Sequence, residues 1–185
     1  MSEPRRIEPV IRFCAVISRH PEAHAWATQR LREQWGEPVE VSTPADFTAG
    51  GFYDEEMGRG LKKVLIAAEE FADPAGLADW KVATNTWERE YAELRDHNEP
   101  RPLNLDPGYI TQAKLVLATI KDRDHRLYLH DGIFAEVTLN YMGGRWTHHR
   151  WSYPDYRTDH VATFALACRQ RLRAYLLQTD GFRRG

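Results

Sequence analysis

Apolar and polar positions alternate in a way that predicts most of the elements. Val10 to Ile17 is short, apolar and rich in β-branched residues, the pattern of a largely buried strand. Arg12 interrupts it; facing a core it requires a carboxylate or an anionic ligand, and facing solvent it requires neither. From His20-Pro21 to Gly36, Ala25, Leu31 and Trp35 help form one apolar side, Pro21 suits a first helical turn, and Gly36 with Pro38 stops it. Val39-Glu40-Val41 predicts a short second strand, and Leu61 to Ala68 a third. Between them, Phe47 to Gly60 loses periodicity. Gly50-Gly51 is a flexible joint, and Phe52-Tyr53-Asp54-Glu55-Glu56-Met57-Gly58 mixes aromatics with three acids. Such a loop either covers a site or is a solvated connector.

Pro74 to Arg95 predicts the longest helix, with Leu77, Trp80, Trp87, Tyr91 and Leu94 as its core stripe. Lys81, Thr84, Asn85 and Glu88 fall on one further face. A solvated face is the default explanation, but Thr and Asn compete for backbone hydrogen bonds and suit a binding role better. His97 to Pro102 reads as a polar linker. Leu103 to Leu105 predicts a short strand. Asp106-Pro107 reads as an N-cap and first turn, and Ile110, Ala113, Leu117 and Ile120 recur at helical spacing, so a helix is expected over 107–121. Lys114 to Thr119 also reads as a strand.

A hairpin follows. A two-residue Asp131-Gly132 turn pairs Leu127 with Glu136 and mixes the two faces. A three-residue loop, His130-Asp131-Gly132, pairs Leu129 with Ile133 and Leu127 with Ala135, with Gly132 left-handed. The longer loop is therefore expected. It turns Leu127, Leu129, Ile133, Ala135, Val137 and Leu139 inward and sets Arg126 opposite Glu136. A two-residue Gly143-Gly144 turn then sets Tyr141 opposite Trp146, Asn140 opposite Thr147 and Thr138 opposite His149. A last helix runs from about Thr158 to Gln178. The expected fold is α+β (mixed α/β), a single domain over 1–185. Its central, mostly antiparallel sheet has a ferredoxin-like βαββαβ order, followed by helix, three-strand meander and C-terminal helix.

Composition narrows the function. The 185 residues are 42% hydrophobic and 28% charged, ordinary globular values. The net charge of −2 argues against a general nucleic-acid binder. Arginines gathered near the C-terminus suit a helix end. Cys14 and Cys168 sit among apolar neighbours without a CxxC, as buried free thiols in a reducing compartment do. The N-terminus carries neither signal peptide nor membrane span, so the expectation is cytoplasmic. P-loop, Rossmann turn, GxSxG elbow and HExxH are absent. His148 and His149 are adjacent, so on a strand they point to opposite faces. His125, His130, Glu136, His149 and Asp155 could converge from neighbouring strands, but no metal is assigned. The cofactor and the oligomeric state stay open.

The candidate site lies in the stretch from Arg101 to Tyr141. Asp106 and Glu136 are the candidate acid and base. Lys81, Asn85, Glu88, Asn104, Tyr109, Lys121, Arg126, Tyr128 and Thr138 are the candidate ligand contacts, the cations for an anion and the others for orientation. Asp106 has the plain alternative of an N-cap, and Arg126 with Glu136 that of an exposed cross-strand pair.

Phe47-Thr48, Tyr53, Glu56-Met57-Gly58, Thr84-Asn85, Asn104-Leu105-Asp106-Pro107-Gly108-Tyr109, His125-Arg126, Ala135-Glu136-Val137-Thr138-Leu139 and Trp151-Ser152-Tyr153-Pro154-Asp155-Tyr156 together resemble a bacterial and archaeal family described as domain of unknown function 4416. The resemblance covers essentially the whole chain, and the run from Asn104 to Tyr109 is its most specific part. Phe52 stands where a second tyrosine is expected. The resemblance implies no particular reaction. Two readings follow. One is a small cytoplasmic enzyme acting by acid–base chemistry on an anionic, phosphorylated or nucleotide-like small molecule. The other is a non-catalytic binding module using an aromatic surface around residues 146–156.

Overall fold

The computed structural model describes residues 7–94 and 97–179. At its centre is β1 (Val10–Ser18), paired antiparallel with β4 (Lys62–Ala72) on one side and β5 (Asn104–Ile110) on the other. Its side chains alternate between two cores. Phe13 and Ala15 pack with the C-terminal helix α4 (Asp159–Gln178). Cys14 and Val16 pack with α1 (Pro21–Trp35) and α3 (Leu77–Leu94). A strand covered on both faces has no polar side, which is why its sequence is a continuous apolar run.

The sheet extends through β2 (Pro38–Val41), β6 (Lys114–Thr119), β8 (Phe134–Met142) and β7 (Leu127–Tyr128), in the order β2-β4-β1-β5-β6-β8-β7. Two short strands, β3 (Ala45–Asp46) and β9 (Arg145–His148), pair with β4 and β8. All of these pairings are antiparallel. The loop after β3 carries one helical turn, α2 (Asp54–Met57). Arg12 follows the inward-facing alternative: its side chain is 12% exposed, 3.5 Å from Glu70 and over the rings of Trp35 and Trp80. Among the described residues, no helix is long and apolar enough to cross a membrane.

The helix expected over 107–121 is replaced by strands β5 and β6. Leu115 and Leu117 enter the α4 core, and Val116 and Ala118 enter a cluster with Leu77 and Ala78 of α3. Burial on both faces makes β6 apolar throughout, and an apolar run also satisfies a helical template. Pro107 pairs with Cys14 on the β1 side, while the ladder to β6 begins one residue later, at Gly108. A proline lacking its N–H is tolerated where a ladder stops. Gly108 is required by close approach: a Cβ there would lie 2.4 Å from the Val116 carbonyl oxygen and 2.8 Å from the Phe13 ring.

In the meander, Leu127 pairs with Ala135, and Leu129 donates its N–H to Ile133, around a loop with Gly132 at φ +74°. The three-residue loop is as expected, but Leu127 is 73% exposed because β7 is the outermost strand. Tyr141 faces Trp146 and Asn140 faces Thr147. Thr138 and His149 do not pair, since β9 ends at His148. Opposite β6 the register steps from Val137 to Leu139, leaving Thr138 as the extra residue of a bulge. That step sends Leu139 to the α4 core, whereas Ala135 and Val137 pack toward α3.

Candidate functional site

Residue parity on β4, β1 and β5 builds the site. Lys63, Ile17 and Asn104 form one cross-strand row, and Ala15 with Asp106 belongs to the next. Phe13 and Ala15 face α4, so these polar residues lie on the α4 side of the sheet. Helix α4 begins only at Asp159, after the turn Pro154–Tyr156. Over this end of the face the polar row therefore meets loop residues. Lys63 Nζ binds Asp155 at 2.6 Å and sits 3.4 Å above the Tyr156 ring. Burial outweighs Asp155 and lowers the Lys63 pKa.

Asp106 is the centre of the first network. Its Oδ1 accepts from Lys81 Nζ at 3.1 Å and its Oδ2 from Asn104 Nδ2 at 2.8 Å. Lys81 comes from α3, on the opposite face. It reaches past the edge of β5 that β6 leaves unpaired, and also donates to the Leu105 carbonyl at 2.7 Å. Glu88, two turns further along α3, accepts from the Leu105 N–H at 2.7 Å and from Arg101 at 3.1 Å. Arg101 also donates to Asn104 and lies 3.6 Å from Glu56 of α2. The α3 face of Lys81, Thr84 and Glu88 is thus turned toward β5 rather than to solvent, with Lys81 and Thr84 buried.

The two carboxylates of this network are shifted in opposite directions. Burial opposes ionisation of Asp106, but Lys81, Asn104 and Arg101 outweigh it and hold the carboxyl below its ordinary value. Burial wins at Glu88, raising its pKa against the pull of Lys81 and Arg101. Asp106 therefore stays ionised, with its side chain 34% exposed, while its partners Lys81 and Asn104 are buried.

The second network is centred on Glu136, which pairs with Leu117 and so shares the α4 face. Its Oε2 accepts from Arg126 Nε at 2.8 Å and contacts His125 Nε2 at 3.0 Å; its Oε1 accepts from the Thr138 hydroxyl at 3.3 Å. The Arg126 pKa is raised: burial lowers it, and Glu136 and Tyr153 outweigh burial. His125 Nδ1 contacts Asp124 at 2.9 Å, so both ring nitrogens are engaged by carboxylates. The His125 ring stacks on Trp151, and Trp151 stacks on His149. Trp151 Nε1 and Ser152 Oγ then donate to the Val137 and Thr138 carbonyls, filling the gap between β7 and β9 along β8.

Charges of both networks act on loop residues. Lys121 Nζ lies 4.7 Å from the centre of the Phe52 ring, which packs edge-on against Tyr53 at 5.0 Å. Burial first, then Asp106, push the Tyr53 phenol up to about 12, and Tyr153 and Asp155 act on it as well. Asp155, Asp106 and Glu136 all act on Tyr156, whose phenol burial raises well above its ordinary value.

Of the residues named from sequence, the structure brings Lys81, Glu88, Asn104 and Asp106 together, and separately Arg126, Glu136 and Thr138. Lys121 lies over the exposed Phe52 ring. Asp106 is not an N-cap, because β5 runs through it. Tyr109 pairs with Arg12 and packs toward α3, on the opposite face. Asn85 is half-buried on α3, and no bond joins it to either network among the described residues. Tyr128 is 62% exposed against Phe134 at the sheet edge. Sequence reading passed over Arg101 and Lys63, and weighed Asp155 only among possible metal ligands. The period-2 parity of Lys63 with Leu65 and Ala67 would have placed it inward; Arg101 lay in what read as a polar linker, with no periodicity to reveal it. His125, His130, Glu136, His149 and Asp155 do not form one metal shell. His125 meets Glu136, His130 lies by Asp131, and His149 stacks on Trp151.

The model of the family described as domain of unknown function (DUF4416) matches residues 8–172. The chain belongs to this family. The DUF4416 match spans every residue of both networks and of the loops between them. No curated protein and no solved structure matches.

Proposed function

We propose that this chain is a small enzyme that holds an anionic small molecule on the α4 face of its sheet and moves a proton at it. The carrying observation is Asp106: an ionised carboxylate, one-third open to solvent, fixed from behind by a buried ammonium and a buried amide. Charges buried in such a network cost desolvation, and sites that bind or react are where that cost is commonly met. Lys81, Lys63, Arg101 and Arg126 each already contact a carboxylate. Lys121, over the exposed Phe52 ring, is the cation placed to meet the ligand's anionic group, phosphate or carboxylate. Tyr53 stays protonated and donates a hydrogen bond. Asp106 accepts a proton from a ligand atom made more acidic in the site, since a carboxylate held low is a weak base in water. Glu136, sealed by Arg126, His125 and Thr138, positions those groups rather than meeting the ligand.

The same reading extends to the scaffold. We infer a ferredoxin-like unit from the strand order β2-β4-β1-β5, with α1 and α3 packed on one face in support. A reducing, cytoplasmic setting is part of the proposal, supported by the buried free thiols of Cys14 and Cys168. The binding-module alternative draws on Tyr153, which is exposed, but Trp151 is committed to the Val137 carbonyl and to two histidine rings.

The test is a thermal-shift screen against phosphorylated metabolites, nucleotides and carboxylates, repeated with Asp106→Asn and Lys121→Ala. The expected hit is lost or strongly weakened in both variants. Stabilisation that persists unchanged in both places the ligand elsewhere and removes the proposal.

A further inference from the structure

A second cluster of chemical groups lies outside both networks, where α1 begins. His20 occupies the N-cap position of α1, yet its side chain makes no capping hydrogen bond. Its Nε2 turns instead to Glu99 Oε2 at 3.1 Å. The His97 ring lies beside it, with centroids 4.7 Å apart. One ligand atom from each of His20, His97 and Glu99 falls within 4.8 Å of the others. His97 Nε2 is buried and has no hydrogen-bond partner among the described residues. A buried imidazole nitrogen left unpaired carries a desolvation cost that a hydrogen bond or a metal bond removes.

We propose that His20, His97 and Glu99 form a divalent transition-metal site of the zinc type. Two imidazoles and one carboxylate suit that class of ion, whereas calcium and magnesium favour all-oxygen shells. Bonds of about 2.0–2.1 Å in a tetrahedron put ligand atoms about 3.3 Å apart. The His20–Glu99 separation of 3.1 Å is close to this, and the His97 ligand atom lies within 4.8 Å of both. The other carboxylate oxygen, Glu99 Oε1, accepts from Arg19 Nη1 at 3.0 Å, the outer contact that orients a ligating carboxylate. Gly58, at φ +74°, packs directly over this pair. A Cβ there would lie 2.8 Å from Arg19 Nη1 and 3.1 Å from Glu99 Oε1. Three protein ligands leave the fourth position for water or a ligand group.

The site has a structural consequence. His97 and Glu99 lie on the same connection as Arg101, which binds Glu88, Asn104 and Glu56. An ion held by His20 ties that connection to the start of α1 and fixes the approach of Arg101 to β5. Among the described residues, the other cluster with three such groups, Asp79, His130 and Asp131, is exposed, and His130 Nδ1 is already bonded to its neighbour Asp131.

The test uses the full chain freed of metal by chelation, then titrated with Zn²⁺ by calorimetry and with Co²⁺ by visible absorption. The expected result is one ion per chain, cobalt d–d bands, and a zinc-dependent rise in Tm. His97→Ala and Glu99→Gln, each checked for native circular dichroism, are expected to weaken binding at least tenfold and abolish the bands, with His130→Ala unchanged. If His97→Ala does not fold, Glu99→Gln and His20→Ala decide. No stoichiometric binding, affinity unchanged in the folded ligand variants, or binding lost with His130→Ala overturns the proposal.

Discussion

The two charge networks have their central carboxylates on one face of one sheet and differ in how they end. Around Asp106 the buried partners lead outward to a carboxylate that solvent reaches. Around Glu136 they lead inward: its carboxylate is 2% exposed and both oxygens are engaged. The same residue types therefore do different work. An open end can exchange hydrogen bonds with a ligand, whereas a sealed centre fixes its neighbours and is costly only when broken. The position of the strands produces the contrast. Asp106 lies where the β5–β6 ladder has stopped, and Glu136 lies within the ladder of β8, opposite Leu117.

The largest expected effect breaks the sealed network. Glu136→Ala strands the buried Arg126 guanidinium and is expected to cost about 3–5 kcal/mol, read from the urea midpoint at constant m-value. A loss under about 1 kcal/mol would contradict the sealed reading. Lys81→Met attacks the open network. Because Asp106 keeps Asn104 and solvent, the expected loss is smaller, on the order of 2–3 kcal/mol. Equal losses in the two variants would erase the distinction.

The pH dependence sharpens it further. The folded pKa of Asp106 lies below its ordinary 3.8, so folding favours the charged form. Its stabilisation is fully present above 3.8 and is lost as pH falls through the folded value. Glu88 has the opposite sign. Its folded pKa lies above 4.5, so ionisation opposes folding and stability declines as pH rises through that value. In urea midpoints measured across pH, Asp106→Asn is expected to flatten the fall below 3.8, and Glu88→Gln the decline above 4.5. The smallest stability effect belongs to Tyr53→Phe, within about 1 kcal/mol. The same variant is expected to abolish the thermal shift given by any ligand that depends on Asp106; a full shift would take Tyr53 out of the site.

Much of the scaffold was legible because local rules and tertiary packing agreed. Gly132 in a left-handed position set the β7–β8 register, and the last helix, expected from about Thr158, begins at Asp159 with Thr158 accepting from the Val161 N–H as its cap. The face of β7 was misread because the strand is the outermost of the sheet and its Leu127 stays exposed, which sequence periodicity does not register. Asp106-Pro107 was misread because an aspartate before a proline fits an N-cap as well as a strand whose ladder stops there. Most members of each network were visible as residues, Arg101 excepted, and Arg126 opposite Glu136 followed from register alone. The loop groups on which both networks act were not, because Tyr53, Tyr153 and Tyr156 come from loops that lack periodicity.

The split outer margin of β8 has a consequence for assembly. Two short strands, β7 and β9, occupy its two ends, and Trp151 and Ser152 plug the interval between them. A foreign strand arriving at this margin finds two residues at one place and four at another, with indole and hydroxyl groups already bonded to the carbonyls between. At the opposite margin, β2 offers four residues and begins with a proline. A broad antiparallel sheet with both margins interrupted in this way is guarded against growing into its neighbours as a fibril.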